Sequence, residues 1–215
     1  MLEKLPEAIG HALANQRAGM EKILFHAEGP AATALLDVTS PAFAPNGELP
    51  RRFTADGEGL SPPLRWRNVP AQAATLALVV EDADSPTPEP LVHAIVVDID
   101  PREAGLVEGL YSGPPEASPE KLGRNSYLML GWLPPDPPPG HGVHRYAFQV
   151  FALAAGEPLS KAPGRREVAA AIRERGIARG CLIGTYQRTA PVYPDERADT
   201  ETAQLSKLAN GPVLD

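Results

Sequence analysis

The stretch "DPPPGHGVHRYAFQVFAL", residues 136–153, joins a stiff loop to an alternating strand without a spacer. Consecutive prolines fix φ and remove backbone N–H groups, so residues 137–139 cannot belong to a central strand. From Val143 onward the texture changes. Side chains two apart on a strand share a face. His144, Tyr146 and Phe148 therefore point one way, and Arg145, Ala147 and Gln149 the other. Two histidines, an arginine and a tyrosine thus stand at the mouth of a strand, behind a loop too rigid to move far.

Three more β-rich runs surround it: "TLALVVE" (75–81), "HAIVVDID" (93–100) and "GCLIGTYQR" (180–188). Each is bounded by turn-forming residues. His93, Ile95, Val97 and Ile99 are expected on one face, and Asp82 and Asp84 on one side of a strand end. "TADGEGLSPPLRWRNVP" (54–70), "DADSPTPEP" (82–90) and "YSGPPEASPEKLGRNS" (111–126) read as loops. "RREVAAAIRERGIAR" (165–179) reads as a helix. The 25 prolines put that residue at about twice its usual ~5% share. Turns joining many strands are implied. The fold class is mainly β, with an antiparallel-rich sheet and few helices; the repeated strand–helix alternation of a doubly wound sheet is missing.

At the start, Leu5, Ile9, Leu13, Met20, Ile23 and Leu24 recur at helical spacing, so residues 2–27 read as an amphipathic helix, either whole or broken in two where Gly10 and Gly19 weaken it. The expected organisation is helix and linker over 1–33, a β-rich domain over 34–190, and a polar tail over 191–215 with a short helix near 203–208. The helix is expected to pack on the body or on a second copy in a homodimer.

The net charge of −7 and the lack of a basic run argue against nucleic acid and anionic membrane surfaces as partners. Cys181 stands alone, so no internal disulfide forms. No apolar run is long enough to span a bilayer. With no secretory-type run at the start, a reducing, cytoplasmic setting is expected.

If the strand ends meet, Asp82, Asp84, His93, His144 and Tyr146 gather. Imidazole N–H and tyrosine O–H groups donate to anion oxygens, and a carboxylate orients an imidazole or receives an amine. Structural alternatives stand beside each. His93 suits a core histidine, the aspartates a turn, Arg145 an outer-face ion pair, and Cys181 a buried thiol. His141 and His144 have metal-like spacing, but no cysteine is near, and neither metal nor cofactor is expected. No nucleophile elbow or phosphate-cradling loop is present.

These residues carry a resemblance. "FTADGEGLSPPLRWRNVP" (53–70), "VVEDADSP" (79–86), "VHAIVVDI" (92–99), "GRNS" (123–126), "PPPGHGVHRYAFQVFAL" (137–153) and "RGCLIGTYQR" (179–188) stand in the order found in the phosphatidylethanolamine-binding protein family. The chain resembles its bacterial, Raf-kinase-inhibitor-like branch from about Ser40 to Arg188. The resemblance implies a large central sheet with a smaller sheet and flanking helices. It also implies a non-enzymatic binder with a cavity for phosphate-like or phosphorylethanolamine-like groups, and a kinase or protease as the protein partner. The family's D-P-D-A-P motif falls on Asp82, Ala83, Asp84, Ser85 and Pro86. Its pocket histidine falls on His93 and its H-R-Y on His144, Arg145 and Tyr146. Three departures stand out. Leu91 replaces a tryptophan, Ala83 a proline, and Pro134–Pro135 a glycine–proline pair that lines the site. Position 134 therefore cannot supply a backbone donor. The resemblance places the ligand against Asp82, Asp84, Pro86, His93, Pro135, His144 and Tyr146, with His93 and His144 donating. A hydrolase acting on small phosphoesters through an Asp/His pair, and an interaction module with a relic pocket, are the competing readings.

Overall fold

Alternating apolar runs in this chain are too long and too β-branched for turns, and they pair into sheets. The structure, a computed structural model, describes residues 6–27, 34–114 and 121–188. In chain order these form α1 (Glu7–Leu13), a 3-10 turn (Met20–Lys22), α2 (Leu24–Ala27), β1 (Ala34–Leu35), β2 (Asp37–Thr39) and β3 (Gly47–Glu48). A second 3-10 turn (Arg51–Phe53) precedes β4 (Leu64–Arg67), β5 (Thr75–Asp82), β6 (Leu91–Ile99), β7 (Gly105–Leu106) and β8 (Lys121–Leu122). β9 (His144–Leu153), α3 (Arg165–Arg175) and β10 (Gly176–Tyr186) complete the described chain.

The large sheet runs β1-β10-β9-β5-β6-β8, with β3 also on β10. Its long central pairs are antiparallel, whereas β1 and β3 join β10 in parallel. A small sheet, β2-β4-β7, covers one face. There Trp66, Leu64 and Val38 pack against Leu76, Leu78, Phe148 and Val150. The other face carries Ala77, Val79, Phe151 and Leu153, which pack on Val168, Ala169 and Ile172 of α3 and on Leu24 of α2. The period of two in β5 and β9 thus divides the chain into two cores around one sheet. No helix among the described residues is long and apolar enough to cross a membrane.

The structure departs from the sequence reading in several places, among them β8, which lies inside the stretch 111–126 read as a loop. Residues 6–27 are not one helix: α1 ends at Leu13, Gly19 takes φ 111°, a left-handed geometry that a helix cannot contain, and the segment holds three short helical pieces. The helix read over 165–179 ends at Arg175, and the chain enters β10 directly at Gly176. "LRWR" inside the first supposed loop is β4, because Leu64 and Trp66 alternate onto the core. Finally, β6 carries two register shifts against β5. Val80 lies opposite Ala94 and Glu81 opposite Val92, leaving His93 as the extra residue of a bulge. His93 is therefore not on the face of Ile95 and Val97, which meet α3; Ile99 lies with the opposite core. The short helix read at 203–208 and the tail over 191–215 lie outside the described residues.

Candidate functional site

The bulge turns His93 toward the ends of β5 and β9, and there the site assembles. Asp82 closes β5 and lies opposite Tyr146 of β9. His144 opens β9, and its Nδ1 sits 2.7 Å from Asp82 Oδ2. The three strands bring Asp82, His93 and His144 to one cavity of about 230 Å³, with Pro86 and Leu91 on its wall. Tyr146 is fully buried beside it, edge-on to His93 with ring centroids 5.2 Å apart. Its hydroxyl has no hydrogen-bond partner. Burial pushes its phenol well above the ordinary range, so the group stays protonated.

Asp84 departs from the expected position. The chain leaves β5 at Asp82, and the Asp84 N–H folds back onto Asp82 Oδ1 at 2.8 Å. That turn sends the Asp84 carboxylate to the opposite side, away from the cavity lining. There it accepts from the Arg145 N–H (2.8 Å), from Arg145 Nε and Nη2 (2.7 Å each), and pairs with Arg17 Nη1 (2.9 Å). Burial raises its pKa, but the bonds from Arg145 and Arg17 outweigh this and hold it at about 2. Arg145 thus pairs with an acid on the outer face, as one reading of the sequence allows. Pro135 is also off the lining; its carbonyl accepts from the Ala55 N–H at 2.9 Å. Pro134 lines the cavity instead, with Pro137 and Pro138.

The histidines are not poised to donate to an anion. His93 Nδ1 lies 2.6 Å from the Leu133 carbonyl, so that nitrogen bears the proton. Its Nε2 is buried without a partner. Burial pushes the imidazole down, against the opposing pull of the Asp82 charge. The neutral ring therefore presents a lone pair. His144 has both nitrogens engaged: Nδ1 on Asp82, and Nε2 at 2.7 Å from Nδ1 of His141.

The rest of the lining is also poor in donors. Prolines 86, 134, 137 and 138 have no N–H. The N–H groups of Ala55, Leu91, Tyr127, Met129 and Leu133 all donate within the protein. Trp132, whose indole N–H lacks a partner, lies behind His93 and does not line the cavity. Asp136 adds a second carboxylate to the lining and pairs with Arg188 Nη1 at 2.7 Å. Arg188 is buried and also binds Asp56 and the Pro137 carbonyl. Sequence reasoning missed Asp136, Arg188, Leu133, Met129 and the role of His141. Each lies in a loop or at a strand end, where no periodicity marks it. The pair of glycines around His141 was the one available signal.

Among the described residues, no group of three or more His, Cys, Asp or Glu side chains is arranged to hold a metal. Cys181 is half-buried, and burial together with the nearby Glu81 charge pushes its thiol up to about 12.

Residues 39–187 match the phosphatidylethanolamine-binding protein family. The chain is 36% identical over 167 residues to a UPF0098 protein of Aquifex aeolicus, covering 77% of this chain and 94% of that one. It is 34% identical over 153 residues to a UPF0098 protein of Methanothermobacter thermautotrophicus, covering 71% and 99%. Among solved structures, a putative phosphatidylethanolamine-binding protein homologue from Chlamydia trachomatis superposes with a TM-score of 0.65 at 30% identity, covering 73% of this chain and 99% of that one. YbcL of Escherichia coli, described as a member of the mammalian family, gives 0.65 at 25% identity, covering 72% and 99%. With the match running from β2 through β10 and the same fold in both solved relatives, the chain belongs to the phosphatidylethanolamine-binding protein family, in its bacterial branch.

Proposed function

We propose that this protein is a non-enzymatic binder of a small zwitterionic head group, of the phosphorylethanolamine type, held by its ammonium end in the cavity at Asp82, His93 and His144. Membership of the family carries a binding-protein kind of function. The observation that supports the ligand class is the unpartnered His93 Nε2. A buried acceptor is costly unless a donor reaches it, and an ammonium or hydroxyl brings one. The carboxylates of Asp82 and Asp136 on the same lining favour a cationic donor over a bare anion. Proline walls keep the cavity preformed, which lowers the entropy lost on binding. The apolar residues Leu91, Met129 and Leu133 suit the carbon framework between the polar groups. By family resemblance, the role extends to modulating a kinase or protease in the cytoplasm.

The hydrolase alternative needs a nucleophile beside a base. Ser85 lines the cavity, but its hydroxyl is tied to the Asp82 carbonyl, Thr87 and the Leu91 N–H. Both ring nitrogens of His144 are already bonded.

Calorimetric titration with phosphorylethanolamine tests the reading. The wild type is expected to bind it, and His93→Leu to weaken binding by about tenfold, or ~1.4 kcal/mol, with the near-UV spectrum unchanged. Equal affinity in the two proteins would sink the assignment.

A further inference from the structure

Four consecutive apolar side chains stand in solvent at the mouth of the cavity. Tyr127, Leu128, Met129 and Leu130 are 51%, 78%, 53% and 40% exposed, and they make up half of the large apolar side chains exposed among the described residues. Single exposed apolar side chains are ordinary on a protein surface, but a contiguous group marks a contact site. The turn that carries them is firmly held. Arg124 and Leu130 bridge at its base. The buried Asn125 accepts at Oδ1 from the N–H groups of Tyr127 (3.0 Å) and Met129 (3.1 Å), and at its carbonyl from Leu128 (2.9 Å). Ser126 exchanges two bonds with Val92 at the start of β6. Leu128 takes φ 61°, a left-handed geometry unfavourable for a residue with a bulky side chain. Such strain persists only where the surroundings enforce it, and here it belongs to the most exposed apolar side chain of the turn.

Tyr127 and Met129 also line the cavity, so the exposed turn and the cavity share a wall. Leu91, Leu133 and Pro134 extend that apolar lining. At about 230 Å³ the cavity is smaller than pockets that enclose drug-sized ligands, so a head group fits and the chains of a lipid stay outside. Their way out passes Tyr127 and Met129. A protein partner matches this surface poorly. A stable interface takes roughly 20–30 residues a side, whereas the apolar group is confined to one turn: Arg124 and Ser126 before it are polar and exposed, and Gly131 and Trp132 after it are buried. A bilayer needs no matching contour. It presents head groups and apolar chains side by side, in the same order as the cavity and the turn. Tyrosine and arginine suit the head-group level, leucine and methionine the acyl boundary. The net charge of −7 favours a net-neutral leaflet over an anionic one.

We propose that the turn Tyr127–Leu130 is a membrane-contact element: it seats the mouth of the cavity on a net-neutral bilayer, so that a zwitterionic lipid enters by its head group while its chains stay among their neighbours. This rests on the head-group reading of the cavity and adds the source of the head group and the surface that meets it. Neither contact need be strong alone. Once the turn is seated, head-group capture is intramolecular in character, and the two reinforce each other through effective concentration.

Co-sedimentation of the full chain with vesicles tests this, using phosphatidylcholine alone and phosphatidylcholine mixed with phosphatidylethanolamine. The wild type is expected to bind the mixed vesicles, and to bind phosphatidylcholine, whose quaternary ammonium has no N–H, at least about threefold more weakly. Leu128 is not on the cavity lining, and asparagine tolerates its left-handed backbone. Leu128→Asn should therefore fold, weaken binding to mixed vesicles by about tenfold, and keep its affinity for soluble phosphorylethanolamine within about threefold. Equal vesicle binding by the variant would overturn the proposal. So would a wild type that binds soluble phosphorylethanolamine but no vesicle, since the head group would then come from solution and the turn would face a protein. A dimer in sedimentation velocity that Leu128→Asn dissolves would assign the turn to a second copy and overturn it as well. Failure to bind soluble phosphorylethanolamine counts against the head-group reading alone. In that case Leu130→Trp still decides the turn: added emission that shifts to the blue on mixed vesicles and is quenched by brominated acyl chains supports membrane contact, and unchanged emission refutes it.

Discussion

Asp84 shows how one side chain can be read correctly as a type and wrongly as a position. It belongs to the recognised motif, yet its carboxylate is buried on the far side of the turn from the cavity and holds Arg145 and Arg17. Its folded pKa of about 2 lies below the ordinary carboxylate value. The folded form therefore stays ionised while the unfolded chain takes up a proton. The contribution is complete above about pH 4, and is lost as pH falls toward about 2; its size is about 2 kcal/mol. Urea midpoints followed from about pH 5 to about pH 2.5 should fall in the wild type more steeply than in Asp84→Asn. At neutral pH, Asp84→Asn should be less stable by about 3 kcal/mol, since it removes the acid from a largely buried pair. Parallel acid profiles for the two proteins would contradict the account.

At the scale of elements, one buried carboxylate joins strand to helices. Glu81 of β5 is fully buried on the helix-covered face. Its Oε1 accepts from Arg165 Nε at the start of α3 (2.6 Å), and its Oε2 from the Leu24 N–H of α2 and from Gln149 Nε2 of β9 (2.8 Å each). A charge in a core is tolerated only when paired and fully hydrogen-bonded, and here three elements supply the donors. Glu81→Gln keeps the shape but removes the charge that faces Arg165. It should cost about 2–4 kcal/mol in denaturant unfolding and speed amide exchange in α2 and the first turn of α3. A loss well under 1 kcal/mol would mean that Arg165 finds equal solvation outside.

For the whole molecule, the N-terminal segment is part of the folded body. Ile23 and Leu24 are fully buried, and the N–H groups of Ala18 and Gly19 donate to the carbonyls of Ser85 and Ala83. Arg179 of β10 returns a bond to the Phe25 carbonyl at 2.6 Å. Deleting residues 1–27 would uncover that apolar surface and leave Glu81 and Asp84 each short of donors. The melting temperature should fall by about 10 °C or more, with loss of solubility. A truncated chain that melts with the wild type would show that the segment is an appendage.

Much of this was legible in the residues themselves. The β-rich apolar run over 75–81 and the alternation over 143–153 specified two central strands and the face shared by His144 and Tyr146, because the pleat imposes a period of two whatever surrounds it. The motif order specified the family and the convergence of Asp82, His93 and His144. Three things were decided only by the tertiary structure. The bulge that turns His93 out of the face of Ile95 arises from pairing with β5, which no single strand encodes. The reversal of Asp84 follows from where that pairing stops. The engagement of His144 by His141 depends on Leu13, far away along the chain. Periodicity is a local property of the backbone. Which nitrogen still has a proton to give depends on every partner that packing brings to it, and those partners come from the whole chain.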